Sequence, residues 1–386
     1  MSELDFMGFR RRDGGIGIRN LMVVLSATDA ANPVARSIAA QFPDAVAVTP
    51  PGGRGQLGDD LEQRIRTLVG LGCSPNVFAV LVVSLESVAG ERIAESIARS
   101  GKPVELLSIQ GEHGTQAVRR KGVEWLKVWQ RERDRQRREP GSARELSIGL
   151  ECGGSDATSG LVSNPAIGLV TNRIVDRGGI AIFSEPVECL GGEEVLRRRA
   201  KDSVVAERIL ATIHHYETIA MRAGVDLNRI NPAPDNIKGG LSSIEEKSLG
   251  SICKSGARSI SGVLAYGERP SGPGLFLMDA PAPATENITA LAAAGAQVIL
   301  FGTGMVNTIG SPIAPTIKIC GNPNSCRTMG PHIDVDLGDV IDGTAGLDDA
   351  AEKIVRALSG VLNGEPTCCE VLGELEVAIS RIGPSI

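Results

Sequence analysis

The segment Cys152-Gly-Gly-Ser-Asp156 gathers a thiol, two glycines, a hydroxyl and a carboxylate in five residues, directly after the apolar run Ile148–Leu150. Gly153 and Gly154 free the backbone to turn N–H groups onto an anion, while Ser155 and Asp156 can cap a following helix. Two readings stand: a ligand loop, or a strand–turn–helix junction with ordinary caps. A second group, Ser184-Glu185-Pro186 with Glu188 and Cys189, follows the strand-like run Gly179–Phe183. Ligands of open parallel sheets sit at the carboxyl ends of strands, so Glu185 is placed for chemistry. Glu193 and Glu194 read instead as the first turn of a helix, favoured by its dipole.

A third stretch runs from Asn231 through Asn236, Lys238, Gly239 and Gly240. The glycines allow close backbone approach to a ligand, and Lys238 beside them can serve as base or hold a carboxylate. The alternative is a long loop carrying one solvated lysine. The fourth stretch, Phe301-Gly-Thr303-Gly304, again ends an apolar strand in small and hydroxyl residues. One such ending is weak evidence; several separate strand ends finished this way suggest a cleft built for a small polyoxygenated anion. Of the cysteines, Cys73 and Cys152 are candidates for a soft metal such as iron. Cys253, Cys368 and Cys369 read as small buried hydrophobes.

Composition narrows the chemistry further. The 386 residues include four histidines, 3% aromatics and a formal charge of −6. These numbers argue against a histidine-built zinc site and against an aromatic groove for single-stranded nucleic acid, and give no basic nucleic-acid footprint. Acids, bases and ligands must come mostly from Asp, Glu, Lys and Cys, or from a partner chain. No apolar run reaches membrane-spanning length. The N-terminus lacks a basic region followed by an apolar one, so a cytoplasmic protein is expected. No G-x-G-x-x-G follows the first strand, which disfavours a nicotinamide dehydrogenase.

These residues require strands that end at one edge. Leu21–Ser26, Ala45–Val48, Phe78–Ser84 and Pro103–Ile109 read as strands, alternating with helices at Ala35–Gln41, Leu61–Leu71, Arg92–Arg99 and Thr115–Gln130. Gly52-Gly53-Arg54-Gly55 forms a loop. The charged stretch Arg131–Ala143 reads as a solvated helix end running into a linker or as an interaction surface. The second half adds strands at Ile148–Leu150, Gly179–Phe183, Gly274–Met278, Val298–Phe301 and Ile317–Ile319. Its helices are expected at Ala166–Arg177, Val204–Ala223, Ser242–Ser255, Thr285–Ala294, Ala350–Leu362 and Cys369–Ser380. The expectation is an α/β protein of two Rossmann-like domains, residues 1–143 and 144–386, with mainly parallel sheets and a cleft between them. The second domain carries most site motifs.

The motifs together resemble the altronate and galactarate dehydratase family. The resemblance runs through nearly the whole chain, from Gly8-Phe-Arg-Arg-Arg-Asp-Gly-Gly through Cys152-Gly-Gly-Ser-Asp156, Asn164-Pro-Ala, Ser184-Glu185, Lys238-Gly-Gly-Leu and Met278-Asp279 to Pro315-Thr-Ile-Lys318. Gly53-Arg54-Gly55-Gln56-Leu57-Gly58-Asp59-Asp60 and Ile319-Cys320 point to the branch in which a small β-rich domain is a separate subunit. The resemblance implies β-elimination from a small anionic 2-hydroxy acid: a base takes the proton α to the carboxylate, and sulfite or water leaves C3. It also implies a divalent metal, Fe(2+) with Mn(2+) or Mg(2+) as alternatives, held near Cys152, Cys73 and Glu185.

On the same ground Lys238, Glu185 and Asp156 are the expected catalytic residues. Ser155, Gly153, Gly154, Asn164, Asn236, Gly239, Gly240, Thr303, Gly304 and Arg54 are expected to grip the substrate. An oligomer containing the small β-rich subunit is expected as well. The family usually carries a histidine just before Gly53, where this chain has Pro50 and Pro51; the partner subunit is the expected source of a replacement.

Overall fold

In this computed structural model residues 4–386 are described; residues 1–3, where the expected N-terminal domain begins, lie outside the described residues. The first half supplies β1 (Phe6–Arg10), β2 (Ile16–Gly17), β3 (Leu21–Ser26), β4 (Ala45–Val48), β5 (Val77–Ser84) and β6 (Val104–Ser108). β7 (Glu139–Gly141) follows before the expected boundary, and the second half supplies β8 (Ser147–Cys152), β9 (Ile180–Phe183), β10 (Ile260–Leu264), β11 (Gly274–Met278), β12 (Val298–Thr303), β13 (Thr316–Cys320) and β14 (Val335–Asp336).

Strands β4-β3-β5-β6 form a four-stranded sheet and β10-β11-β9-β8-β12-β13-β14 a seven-stranded one, both wholly parallel. The protein is therefore α/β with Rossmann-like sheets. Every residue of β5 is buried, as a parallel strand covered on both faces must be. Its side chains alternate: Val80 and Val82 enter one core, Ala79, Leu81 and Val83 another.

Five layers result. Helices Asn32–Ala39 and Thr115–Arg133 cover the outer face of the small sheet. Helices Gly58–Gly72, Ser87–Ala98 and Ala284–Ala293 fill the space between the two sheets as a single core. Helices Asn164–Asp176 and Leu347–Leu362 cover the outer face of the large sheet. The cleft expected between domains is, along this layer, a filled apolar slab. Gly70 allows its closeness, since a Cβ there would stand 2.3 Å from the Ala293 carbonyl oxygen.

Three local expectations change. The charged stretch after Thr115–Arg133 does not run on as a bare linker: β7 pairs antiparallel with β1, which pairs with β2. The expected helix Cys369–Ser380 shrinks to Cys368–Leu372, because Gly373 adopts φ 71° and caps it in the left-handed conformation glycine permits. The stretch around Lys238 is not wholly loop but includes the short helix Pro234–Lys238.

Candidate active site at the carboxyl edge of the large sheet

The chain runs from β8 outward to β9 in one direction, then returns through helix Ala284–Ala293 to place β12 on the other side of β8. The carboxyl ends of β8 and β12 therefore flank a topological switch point, where open α/β sheets bind ligands. Gly153, Gly154, Ser155 and Asp156 leave β8 here, and Gly304 leaves β12. Gly154 has φ 63°, and its carbonyl accepts from the N–H groups of Gly304 and Met305. A Cβ on Gly154 would stand 3.2 Å from the Thr303 hydroxyl, so the glycine brings that hydroxyl against the loop.

Asp156 ties this loop together. Its Oδ1 accepts from the Thr158 hydroxyl at 2.6 Å and the Ser159 N–H at 3.0 Å, and its Oδ2 from Asn322 Nδ2 at 2.7 Å. Asn236 donates to the Ser155 carbonyl at 2.9 Å, and Ala157 N–H donates to the Gly239 carbonyl at 3.0 Å. The loop Ala233–Gly240 is thereby laid along Gly153–Asp156. Asn164 donates to the Gly250 carbonyl.

Beneath the loop lies a buried cluster that the sequence reading only half anticipated. Lys254 Nζ donates to Glu185 Oε2 at 2.7 Å and Ser251 Oγ at 2.8 Å, and lies 3.1 Å from Cys152 Sγ. Lys254 and Glu185 are each 1% exposed. Lys254 comes from the turn Cys253–Ser255 that follows helix Ile244–Ile252. That turn reaches the site because Gly168 lets it close on helix Asn164–Asp176; a Cβ there would be 2.2 Å from the Cys253 carbonyl oxygen. Glu185 itself adopts φ 64°, ψ 57°. A left-handed non-glycine residue costs on the order of 1–3 kcal/mol and persists where its surroundings over-determine it.

Electrostatics follow from burial. Desolvation pushes the Glu185 carboxyl up, Lys254 pulls it back, and Glu188 pushes it up again. Burial and the Glu185 charge raise the Cys152 thiol to about 11, so it stays protonated near neutrality. Lys254 is held well above its usual value: burial lowers it, but Cys152 and Glu185 outweigh that. A buried cation and carboxylate in contact favour the ion pair only when hydrogen bonds complete it, as Ser251 and the Cys152 N–H do here.

Several buried polar atoms at this edge have no partner: Thr303 Oγ1, Asn164 Oδ1, Ser184 Oγ and Glu151 Oε1. Buried polar groups are rarely left unsatisfied without a ligand, water or strain to explain them. Glu151 lies on the opposite face of β8 from Cys152. There it stands in register with Phe301, which in turn stands in register with Lys318. Lys318 Nζ sits 3.4 Å from the Phe301 ring centre, a cation–π contact.

The expected site residues separate into three places. Cys152, Gly153, Gly154, Ser155, Asp156, Asn164, Glu185, Asn236, Gly239, Gly240, Thr303 and Gly304 converge on this edge. Lys238 lies on its outer rim, 80% exposed and 3.5 Å from Asp235. Cys73 follows helix Gly58–Gly72 at the amino-terminal edge of the small sheet, where its carbonyl accepts from Arg269. Arg54 lies at the carboxyl edge of the small sheet, 4.0 Å from Glu86. Lys254, Ser251, Glu151 and Lys318 were not anticipated. Glu151 and Lys318 carried a signal, a charge inside an otherwise apolar strand; Lys254 carried none beyond being a lysine in the turn after a helix.

The metal expected at Cys152, Cys73 and Glu185 does not fit this arrangement. Cys73 is on the other sheet, and the Lys254 ammonium fills the position between Cys152 and Glu185. Among the described residues no group of three or more His, Cys, Asp or Glu side chains is arranged to hold a metal ion.

Comparison with known proteins then decides the family. The profile for D-galactarate/altronate dehydratase, C-terminal, matches residues 143–385, and that for the second domain of D-galactarate dehydratase/altronate hydrolase matches residues 8–133. The chain belongs to the galactarate/altronate dehydratase family. It is 39% identical over 382 residues to the (2R)-sulfolactate sulfo-lyase subunit beta of Chromohalobacter salexigens, covering 98% of this chain and 97% of that protein. It is 30% identical over 402 residues to the altronate dehydratase of Escherichia coli, covering 98% of this chain and 78% of that one. Galactarate dehydratase (L-threo-forming) of Escherichia coli is 31% identical over 310 residues, covering 78% of this chain and 59% of that enzyme. The family members named here are lyases, and this chain is an enzyme of that family. No helix among the described residues is long and apolar enough to cross a membrane.

Proposed function

We propose that this chain is the large subunit of a lyase that β-eliminates sulfite from a sulfonated 2-hydroxy acid of the sulfolactate type, yielding pyruvate. The observation that carries the reading is the buried Glu185–Lys254–Cys152 cluster beneath the unpartnered Thr303 Oγ1, Asn164 Oδ1 and Ser184 Oγ at the switch point. The near full-length likeness to a sulfolactate sulfo-lyase beta subunit supports the choice of leaving group. Glu185 takes the proton from C2, its basicity raised by burial. The electron pair forms the C2–C3 double bond, the C3–S bond breaks, and its pair leaves with sulfite. The resulting enol ketonises to pyruvate.

Lys254 positions Glu185 and holds its charge. Cys152 offers a neutral thiol beside it. Thr303 and Ser184 hydroxyls donate to the carboxylate or sulfonate, and Asn164 Oδ1 accepts from the 2-hydroxyl. Asp156, Asn236 and Gly239 keep the loop Gly153–Ser155 in place. Lys238, on the rim, is assigned the role of carboxylate clamp rather than base. A divalent metal remains implied by family resemblance, but the described residues of this chain do not by themselves gather its ligands. A small β-rich partner subunit is part of the proposal, as is a cytoplasmic location.

The test is an assay of the assembled two-chain complex with (2R)-sulfolactate, following sulfite and pyruvate, with metal content measured on the same sample. Equal release of both products is expected. Turnover of sugar acids alone, to 2-keto-3-deoxy acids, overturns the reading in favour of dehydration. Glu185→Gln should lower turnover by about 100-fold or more while the circular dichroism spectrum is kept. Glu185→Asp, which keeps the ion pair but withdraws the carboxylate, should fall between. Full activity in both variants removes Glu185 as the base.

A further inference from the structure

The small sheet has its own switch point, between β3 and β5, and the carboxyl ends of those strands open into a cavity of about 610 Å³. Its wall contains Thr28, Arg54, Gln56, Arg64 and Glu86, with Leu61, Val88 and Ile93 among the apolar residues. None of its wall residues belongs to the Glu185 cluster. Arg64 is the unusual member. It is 3% exposed, yet its guanidinium meets only carbonyl oxygens: Pro51 at 2.9 Å and Ala27 at 3.3 Å, with Nε unpartnered. No carboxylate forms an ion pair with it among the described residues.

The nearby acids are engaged elsewhere. Asp60 accepts from Gln56, Arg381 and the Ile382 N–H, and Asp29 accepts from the Gly52 N–H. Glu86 faces Arg54, and Arg92 pairs with Glu62. Asp29 and Asp60 favour the Arg64 charge through space but neither bonds it, and a buried guanidinium without a bonded anion is costly unless something else completes it.

The other polar groups tell the same story. Thr28 Oγ1, in the wall, and Ser84 Oγ, at the same sheet edge, are buried hydroxyls without partners and can donate to an anion; Gln56 Oε1 and Asn32 Oδ1 are also unpartnered but only accept. The helices that begin there, Gly58–Gly72 and Ser87–Ala98, have no side chain capping their first N–H groups. Their free N–H groups and dipoles favour an anion. The loop over Arg64 carries left-handed Gly52, Gly53, Gly55 and Gly58, and a Cβ on Gly53 would stand 2.9 Å from Arg64 Nε. Only glycine lets the loop lie on the guanidinium.

We propose that this cavity is a second ligand site, which takes a small organic anion whose carboxylate or phosphate head meets Arg64 and Thr28 while its carbon body lies on the Leu61–Val88–Ile93 wall. The site is independent of the elimination chemistry assigned to the large sheet. A volume near 600 Å³ suits a metabolite-sized ligand rather than an ion alone.

Calorimetric titration of the full chain tests this with butyrate, benzoate and phenyl phosphate as probes and inorganic phosphate as the bare head group. Saturable binding of at least one organic probe is expected, weakened about tenfold or more by Arg64→Met, partly restored by Arg64→Lys, and unchanged by Glu185→Gln. Carboxylate or phosphate preference then identifies the head group. Thr28→Val guards against misfolding of the arginine variant. It removes a hydroxyl that has no partner, so without ligand it should melt no lower than the parent, yet bind the probe several-fold more weakly. Absence of saturable binding by any organic probe overturns the proposal. So does binding that ignores both Arg64→Met and Thr28→Val, or that is lost in Glu185→Gln.

Discussion

Lys102 shows how one side chain can set a pH dependence far from any chemistry. Its ammonium donates to the Ser74 and Val77 carbonyls at 3.0 and 2.6 Å in a buried position. Burial, helped by Arg11, lowers it to about 7. In the unfolded chain a lysine keeps its proton to about 10.4. Between those values the unfolded state binds more protons, so the Lys102 contribution to stability rises with pH across that window and its full burial penalty applies below about 7. Lys102→Met should therefore raise the melting temperature more at pH 6 than at pH 9. The two orphaned carbonyls cost the same at both, so the difference isolates the charge; equal shifts at the two pH values would refute it. At this scale the sequence was a good guide where chemistry follows a strand directly. Cys152 and Glu185 stand at strand ends and were legible. Lys254 joins them from 69 residues beyond Glu185, through a turn whose approach depends on Gly168, and no local pattern announces it. Lys238 drew notice for its glycine neighbours, but it ends a short helix on the solvent side of the loop.

At the scale of elements, loops here are fixed by close contacts as much as by hydrogen bonds. A Cβ on Gly304 would lie 2.0 Å from Asp156 Oδ1. Gly304→Ala must therefore displace the carboxylate that accepts from Thr158, Ser159 and Asn322. The expected cost is about 1–3 kcal/mol, seen as a lower melting temperature together with a raised KM, because the loop proposed to hold the substrate loses its anchor. Gly330→Ala, with nothing within 4 Å of the added carbon, is the control and should change neither. An unaltered KM in a destabilised Gly304→Ala would detach this loop from substrate binding. The strands β3, β5 and β12 were readable because both of their faces are apolar. β10 was missed: its sequence ISGVL is short, includes a glycine and serine, and lies at the edge of the sheet. The ribbon β2–β1–β7 was also unread, since its β1–β7 pairing joins segments more than a hundred residues apart and β2 is only two residues long.

For the whole molecule the decisive feature is the slab of helices Gly58–Gly72, Ser87–Ala98 and Ala284–Ala293 between the sheets. Two units with distinct topologies share one core there, so they should not unfold separately. Scanning calorimetry is expected to give a single transition with matching calorimetric and van't Hoff enthalpies; two resolved transitions would show that the slab does not couple them. The α/β class, the two parallel sheets and the edge that holds most site residues all followed from alternating strands and helices with polar strand ends. How the two sheets stack did not, because apolar helix faces look alike whether they cover one sheet or two.

That slab also has a consequence for synthesis. Within it Gly70 lies so close to Ala293 that a Cβ would not fit, though the two are more than two hundred residues apart in sequence. At ribosomal speeds the N-terminal helix waits roughly ten to forty seconds for its mate to be made. Throughout that interval the nascent small sheet presents an uncovered apolar helix layer. The chain is therefore most vulnerable to aggregation while half-made, and its yield should depend on chaperone supply and translation rate more than on the stability of the finished fold.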